Sequence, residues 1–332
     1  MKKNLTKREK VLDLLYKAKG QYISGEELSN KLGVSRTSIW KYIKYLREAG
    51  YKIESSSKVG YRLVTSSDKL IPEEIKRNLK TDFIGQNIIY YDEVDSTSRV
   101  AKEKAQKGDK EGTMVIAEKQ SVGKGRLGRD FSSPQGGLWL SIILRPDLKP
   151  MQATRLTYIA SLAIAETINK LTKLDARIKW PNDILIGDKK VCGILTEMGG
   201  ELDRIDHLVV GIGINANFSI EKLDKSLHNK VTTLYNELEE KVDRVEFINL
   251  LLENLESLYK KVDSFEELLA KWKECSYTIN QEVEVDNGRD TFRGKAVDIG
   301  EDGALIIQIG SQLKKFYSGE VSLVHKEFTS GN

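Results

Sequence analysis

The chain has 332 residues, of which 39% are hydrophobic and 31% charged, and these values predict two or three folded domains and exclude wholesale disorder. Its two cysteines and three scattered histidines exclude a disulfide framework and argue against a zinc or histidine-based metal centre. The sequence has neither a secretory signal nor an apolar run of the ~18 residues that span a bilayer, so we expect a cytoplasmic protein without a membrane partner.

The charge is distributed unevenly along the chain. Residues 1–65 carry 15 Lys/Arg against 6 Asp/Glu, a balance of +9, whereas the remainder carries 38 against 43, a balance of −5. A basic head on a mildly acidic body is typical of a segment that binds a polyanion. The same charge balance is also compatible with a solvated lysine surface. The choice between these two interpretations therefore depends on the local sequence.

Residues 1–65 have the pattern of a winged helix-turn-helix domain. Thr6 with Glu9, and Ser24 with Glu27, have the spacing of capping boxes, which begin two helices. Residues 33–35, Gly-Val-Ser, then form a tight turn before a third helix. This succession predicts that the third helix is the recognition helix of a DNA-binding domain.

The third helix, at about 35–48, places its apolar residues on one face and long donor-rich side chains on the other. Strands at 51–54 and 61–64 would form the wing. The predicted DNA-binding residues are Ser35, Arg36, Thr37, Lys41, Lys44 and Lys58. The alternative is a small helical packing module with a solvated basic face.

Residues 66–82 begin with a polar stretch and are predicted to be a linker, with a short helix that Pro72 starts. Residues 83–273 mix strand and helix patterns, which predicts a central α/β domain within an α+β multidomain chain. The predicted strands are 88–91, 113–119, 138–144, 178–180, 184–186, 191–198 and 207–215. The predicted long helices are 96–107, 152–171, 244–261 and 264–273.

The central domain contains a loop, Gly123–Arg129, with three glycines and three cations. Glycines let backbone amides approach a ligand closely, and the cations favour a phosphate or carboxylate. The loop lacks the ending of a Walker motif and is not followed by the helix of a dinucleotide-binding motif. A mobile solvated loop is the alternative.

Four further segments place polar groups at the ends of strands. They are Asp95–Ser98, Lys179–Asp183 (KWPND), Lys189–Leu195 and the glycine-kinked strand Gly211–Asn215. Each has a plain explanation on its own: a helix cap, a surface charge, a lysine beside a strand, or tight packing of a sheet against a helix.

Residues 274–332 form a third unit, with five short alternating patterns separated by glycine-containing turns. The predicted strands are 281–285, 292–298, 304–309, 314–317 and 321–324. Five strands of this length predict an SH3-like β-barrel.

Taken together, these motifs closely resemble those of the bifunctional biotin–protein ligases that also repress biotin genes, over nearly the whole chain. The resemblance implies an ATP-dependent ligase that forms biotinyl-AMP and transfers biotin to a lysine of the biotin carboxyl carrier protein of acetyl-CoA carboxylase. It also implies binding of operator DNA, with biotinyl-AMP as co-repressor and a homodimer in the adenylate- or DNA-bound state. Biotin, ATP and Mg²⁺ are the implied ligands, with no direct metal motif and with Mg²⁺ near Asp183.

The resemblance also implies a role for individual residues. The implied catalytic residues are Arg126 and Lys190. The implied biotin- and biotinyl-AMP-binding residues are Ser96, Thr97, Ser98, Gln120, Lys124, Gly125, Arg126 and Lys190, and the implied nucleotide-binding residues are Phe131, Asn182, Asp183 and Asn215. Ser98, Lys124 and Phe131 depart from the family pattern, which often has Asn, Arg and Trp there. A lipoate–protein ligase and a metabolite-sensing regulator without ligase activity are the alternatives.

Overall fold

The computed structural model describes residues 6–65, 69–201 and 203–324. Most of the predicted polar joint, at 66–68, and one of the three histidines, His325, lie outside the described residues. The chain divides into two compact units, one of residues up to 80 together with 243–249, and one of residues 81–242 together with 250 onward. Each unit is described separately below.

The first unit contains four helices and a β-hairpin. Its elements are α1 (Lys7–Lys17), α2 (Gly25–Leu32), α3 (Arg36–Glu48), β1 (Lys52–Ser56), β2 (Gly60–Thr65) and α4 (Pro72–Asn78). Thr6 and Glu9 form the predicted capping box, and Ser24 Oγ accepts a hydrogen bond from the backbone amide of Glu27. Gly33 ends α2 in the left-handed conformation, with φ of 60°. The helix-turn-helix and its antiparallel wing are therefore present as predicted.

Helix α4 lies in the segment predicted as a linker, but it packs against α1 within the first unit. Tyr16 Oη donates a 2.6 Å hydrogen bond to Glu74 Oε1, and Lys76 Nζ lies 3.6 Å from Glu9 Oε1. Glu73 and Glu74 are both buried, and burial raises the pKa of Glu73. Buried carboxylates with cationic and hydroxyl partners fix the position of this helix.

The second unit is built on a seven-stranded mixed sheet in the order β3-β4-β5-β9-β8-β7-β6. The strands are β3 (Ile88–Tyr91), β4 (Met114–Ala117), β5 (Leu138–Leu144), β6 (Ala176–Lys179), β7 (Asp183–Ile186), β8 (Lys189–Gly200) and β9 (Ile205–Ile214). Its helices include α5 (Thr97–Gln106), α6 (Arg155–Thr172), α7 (Leu234–Leu238) and α9 (Phe265–Glu274), while α8 (Arg244–Tyr259) has residues in both units. β3 and β4 pair in parallel, and the other neighbouring pairs are antiparallel. Each predicted strand and long helix is found, with ends that shift by a few residues.

The last five strands form an antiparallel sheet in the order β13-β12-β11-β10-β14. They are β10 (Glu282–Asp286), β11 (Thr291–Ile299), β12 (Leu305–Ile309), β13 (Gln312–Phe316) and β14 (Glu320–Leu323). All five predicted strands are present, but the predicted SH3-like barrel is not confirmed. Over the part of the chain that the structure describes, the outer strands β13 and β14 do not pair, so the sheet does not close.

Candidate functional site

The sheet of the second unit carries a pocket at the N-terminus of α5. The glycine-rich loop, β8 and β9 complete its walls. Ten of the twelve residues predicted to bind small molecules line it: Ser96, Thr97, Ser98, Gln120, Lys124, Gly125, Arg126, Phe131, Asn182 and Lys190. The pocket therefore collects side chains from segments nearly 100 residues apart in sequence.

One wall of the pocket is a network of hydroxyls and one amide. Gln120 Oε1 accepts hydrogen bonds from the backbone amide and the Oγ1 of Thr97, at 2.8 and 3.0 Å. Gln120 Nε2 donates to Ser133 Oγ at 2.8 Å, and Ser141 Oγ lies 2.8 Å from Thr97 Oγ1 and 3.0 Å from Ser98 Oγ. Such a network fixes the orientation of these donors and acceptors.

Ser141 belongs to this network, although it was not among the predicted site residues. It is fully buried on β5, and its only signal in the sequence is a single serine in an otherwise apolar strand. A buried hydroxyl needs a partner, and here the partners belong to α5.

Three glycines of β8 and β9 let the pocket form close to the sheet. A Cβ added at Gly211 would lie 2.5 Å from Ser98 Oγ, and one at Gly213 would lie 2.7 Å from the Phe131 ring. A Cβ at Gly193 would lie 2.9 Å from the other edge of that ring. Gly211 therefore lets the first turn of α5 pack closely on the sheet at Ser98, and Gly193 and Gly213 make room for the Phe131 ring.

Arg126 lies at the mouth of the pocket in a short 3₁₀ turn, Arg126–Gly128. Its Nη1 donates a 2.9 Å hydrogen bond to Asn182 Oδ1, whose own Nδ2 donates to the Ile194 carbonyl at 2.9 Å. Burial lowers the pKa of the Arg126 guanidinium, and among the described residues no carboxylate forms an ion pair with it. A partly buried cation with a neutral partner is available to an anionic ligand.

Lys190 also lines the pocket, at the start of β8. Its Nζ is 2.7 Å from Asp183 Oδ1 and 5.6 Å from the centre of the Phe131 ring. The contact with Asp183 has the distance of an ion pair but not the angles of a hydrogen bond, so Asp183 Oδ1 has no hydrogen-bond partner in the described structure. Asp183 is therefore held in this site as the ion-pair partner of Lys190.

A second, wider cleft adjoins the pocket and shares Phe131 and Lys190 with it. Asp183 and Asn215, the two predicted residues that do not line the first pocket, line this cleft. Asn215 is buried, and its Nδ2 donates a 3.0 Å hydrogen bond to the Thr232 carbonyl. The amide side chain thus also holds the segment that borders the cleft.

Lys179 also lines the cleft, although it was not among the predicted site residues. It pairs with Asp183 across the β6–β7 register, and burial lowers its pKa while Asp183 opposes that shift. Asp183 offsets only part of the cost of burying the lysine charge. A highly charged anion bound beside Lys179 would therefore stabilise that charge further. Its signal in the sequence is its position at the head of the KWPND segment.

The KWPND segment is fixed by its tryptophan. Trp180 is buried and precedes a cis peptide bond to Pro181. Its indole Nε1 donates to Tyr158 Oη at 3.0 Å, and its backbone amide donates to Thr278 Oγ1 at 2.9 Å. Because Lys179 and Asn182 flank this anchored side chain, their positions are set by the core.

Ion pairs hold the glycine-rich loop in place. Lys124 Nζ pairs with Asp130 Oδ1 at 2.9 Å, and Arg129 forms a two-armed ion pair with Glu320 of β14, with Nη1 to Oε1 at 2.5 Å. The hydrogen bond from Arg129 lowers the pKa of Glu320. Leu127, at the tip, is 80% exposed and has φ of 56°. The C-terminal sheet therefore contributes an anchor, Glu320, that no motif indicated.

In the first unit, all six predicted DNA-binding residues are exposed on α3, its N-cap and the wing. Ser35 Oγ caps α3 by accepting from the Ser38 amide at 3.1 Å. Arg36 pairs with Glu26, and Lys44 Nζ lies 3.9 Å from Glu48 Oε1. These exposed pairs are weak, so the face remains basic and open to a polyanion.

Residues 6–65, 69–201 and 203–324 lack two kinds of feature. No group of three or more His, Cys, Asp or Glu side chains is arranged to hold a metal ion. No helix there combines the length and the apolar character that crossing a membrane requires.

Three sequence families match the chain. The Biotin/lipoate A/B protein ligase family matches residues 90–215, an HTH domain matches residues 7–62, and the Biotin protein ligase C terminal domain matches residues 278–324. These matches cover the pocket, the helix-turn-helix with most of its wing, and the last sheet.

Individual relatives extend these matches over nearly the full length. The bifunctional ligase/repressor BirA of Bacillus subtilis is 38% identical over 321 residues, which are 96% of this chain and 99% of the relative. The protein of the same name from Escherichia coli is 30% identical over 310 residues, 92% of this chain and 94% of the relative. The solved biotin protein ligase of Aquifex aeolicus in complex with biotin and ATP has a TM-score of 0.62 and 31% identity, and covers 72% of this chain and 98% of its own.

Proposed function

This chain belongs to the family of bifunctional biotin–protein ligases and repressors, and on that premise we propose that it activates biotin with ATP, transfers it to a carrier-protein lysine, and represses transcription by binding DNA. The observation that carries the ligase proposal is a single pocket that Arg126 and Lys190 line together with the polar residues Ser96–Ser98 and Gln120. A site with two convergent cations and a polar ring-binding wall suits the joining of a carboxylate to a phosphate.

In the first step, a carboxylate oxygen of biotin attacks the α-phosphorus of ATP, and the bond from that phosphorus to the bridging oxygen breaks to release pyrophosphate. Carboxylate and triphosphate repel each other, so cations must neutralise both as they approach. Arg126 and Lys190 are placed to do this, and the Thr97–Gln120–Ser141 network orients the ring of biotin. The product is biotinyl-AMP, a mixed anhydride.

The wider cleft is the proposed nucleotide site. Within the cleft, Phe131 offers a ring face for adenine, Asn215 offers an amide, and Lys179 offers charge to the triphosphate. Asn182, in the adjoining pocket, offers a second amide. Mg²⁺ prefers a few carboxylate and phosphate oxygens, and Asp183 is a carboxylate that lines this cleft; an ion bound beside it with ATP would neutralise phosphate charge.

In the second step, the neutral amine of the acceptor lysine attacks the carbonyl carbon of biotinyl-AMP, and AMP leaves with the electron pair of the broken C–O bond. The nitrogen loses one proton to solvent as the amide forms. Water would destroy the anhydride, so the loop Gly123–Arg129 is proposed to cover it. Its anchor on Glu320 gives the last five strands a role in holding the loop. Those strands are proposed to be the SH3-like domain of the family, and a cytoplasmic location stays a prediction.

We predict that the purified chain transfers biotin to a biotin carboxyl carrier domain only when ATP is present. The measurement is radiolabelled biotin incorporation, with ATP–pyrophosphate exchange measured in parallel with biotin or lipoate as the acid. Exchange with lipoate and none with biotin would instead support a lipoate–protein ligase. No exchange with either acid would support a regulator without ligase activity.

We further propose that biotinyl-AMP couples the two activities by favouring a homodimer that binds two operator half-sites. One α3 presents few cations, and two helices on paired half-sites would roughly double the phosphate contacts and steepen the salt dependence of binding. Adenylate binding would order the Gly123–Arg129 loop, and loop order would favour pairing of two chains. Linkage then requires that DNA tighten adenylate binding by the same factor.

The coupling predicts higher operator affinity and a doubled sedimenting mass when biotinyl-AMP is bound. Both are measured with and without biotin plus ATP, at fixed salt concentration. Equal affinity and equal mass under the two conditions would contradict the coupling while leaving the ligase proposal intact.

A further inference from the structure

The exposed face of α3 carries one residue that the predicted DNA-binding set does not include. At 100° per residue, positions 36, 37, 40, 41 and 44 share one face of the helix, and position 40 is a tryptophan. Trp40 is 53% exposed, whereas Trp139, Trp180 and Trp272 are at most 1% exposed. Single exposed apolar residues are common on proteins, so the position of Trp40 matters more than its exposure.

The protein leaves much of the Trp40 indole uncovered. The Nζ of Lys44 lies 5.8 Å from the centre of the Trp40 ring, near the ~6 Å limit of a cation–π contact. Such a contact stabilises the lysine against one part of the ring and leaves the rest in water. Ile39, Ile43 and Leu46 fill the core on the opposite face, so packing of the helix does not require Trp40.

The charged residues around Trp40 indicate which kind of ligand surface this face of α3 binds. Arg36 forms an ion pair with Glu26, and Lys44 forms a longer one with Glu48. Lys41 has no ion pair among the described residues. The surface is therefore an apolar ring bordered by cations. In the major groove of DNA the one apolar group on the base edges is the C5 methyl of thymine, and phosphates border it on both sides.

We propose that Trp40 reads sequence by packing its indole against thymine methyl groups in the major groove, while Lys41 and Lys44 meet phosphates. This inference rests on the proposed repressor function and adds a base-reading residue to it. A methyl contact discriminates thymine from other bases, whereas a phosphate contact strengthens binding to every sequence. Trp40 therefore sets specificity, and the lysines set affinity and salt dependence.

The test replaces the methyl group and the indole separately. The full chain, with biotin and ATP, first selects its preferred sites from a random duplex DNA pool. Each thymine of the selected site is then changed to deoxyuridine, which removes only the C5 methyl. Binding is measured for the wild type, Trp40→Ala, Trp40→Phe and the matched control Lys41→Ala, and thermal unfolding verifies that each variant is folded.

We expect the wild type to lose about fourfold in affinity at one or two thymines per half-site, the effect of one buried methyl group. Trp40→Ala should bind thymine-containing DNA more weakly and lose nothing further with deoxyuridine, and Trp40→Phe should keep part of the sensitivity. Lys41→Ala should weaken binding to all sequences, keep the deoxyuridine effect, and lower the salt slope by about one.

Equal deoxyuridine sensitivity in the wild type and Trp40→Ala would overturn the inference, and so would a wild type that is insensitive at every thymine. Either result leaves DNA binding in place. A uniform loss in Trp40→Ala with a lowered salt slope would show that Trp40 only supports Lys44, and would also overturn it. If the wild type selects no duplex, the proposed DNA binding fails together with the inference.

Discussion

Lys190→Gln is expected to lower the rate of biotinyl-AMP formation by a factor of about 10²–10³, the usual effect of removing one electrostatic stabiliser of a transition state. Lys190 lines both the pocket and the adjoining cleft, so its charge reaches the carboxylate and the α-phosphate together. Glutamine keeps most of the length and removes the charge. The measurement is biotin-dependent ATP–pyrophosphate exchange at saturating biotin and ATP.

Lys190→Gln also removes the cation that lies 2.7 Å from the Asp183 carboxylate. The experiment therefore has to distinguish the loss of a catalytic charge from the effect of leaving Asp183 without its ion-pair partner. Lys190→Gln combined with Asp183→Asn removes both charges, and recovery of exchange in the double variant would mean that the stranded carboxylate caused the loss. Lys107→Gln, at an exposed lysine of the same unit, is the matched control. Exchange by Lys190→Gln within about threefold of the wild type would remove Lys190 from the proposed mechanism.

Arg126→Ala is expected to release preformed biotinyl-AMP faster by a factor of about 10–150. This range corresponds to the loss of ~1.5–3 kcal/mol from a charge-assisted hydrogen bond. Arg126 is half-buried beside a neutral amide, so water replaces its contact with the phosphate poorly. The measurement is the dissociation rate of radiolabelled adenylate chased with unlabelled biotin and ATP.

Two further variants sharpen the Arg126 test. Arg126→Lys keeps a charge but loses the planar fork that bonds Asn182 and a phosphate together, so its off-rate should lie between those of the wild type and the alanine variant. Arg289→Ala, at an exposed turn of the last sheet, controls for loss of a surface arginine. An unchanged off-rate in Arg126→Ala would refute the assignment of Arg126 to the adenylate.

The helix-turn-helix and the strands could be predicted because their signals are local. A hydroxyl at Thr6 or Ser24 and a glycine at position 33 determine helix ends through bonds to their own neighbours. The apolar run of β5 has the correct ends, since it is buried along its whole length and bounded by glycine. The closed barrel was not confirmed, because pairing of the outermost strands depends on sheet curvature rather than on alternation.

For the ligand site, the sequence by itself determined which side chains carry polar and charged chemistry, including Arg126 and Lys190. Only the tertiary structure brought Ser141, Lys179 and Glu320 into the same site. Ser141 and Glu320 depend on partners more than 40 residues away, across strands or between sheets, and no local pattern records such a distance. Lys179 depends on its burial, which local sequence does not record either. The structure also decided that Arg126 has a neutral partner and Lys190 a carboxylate, because burial and neighbours, rather than residue type, set how freely a charge can act.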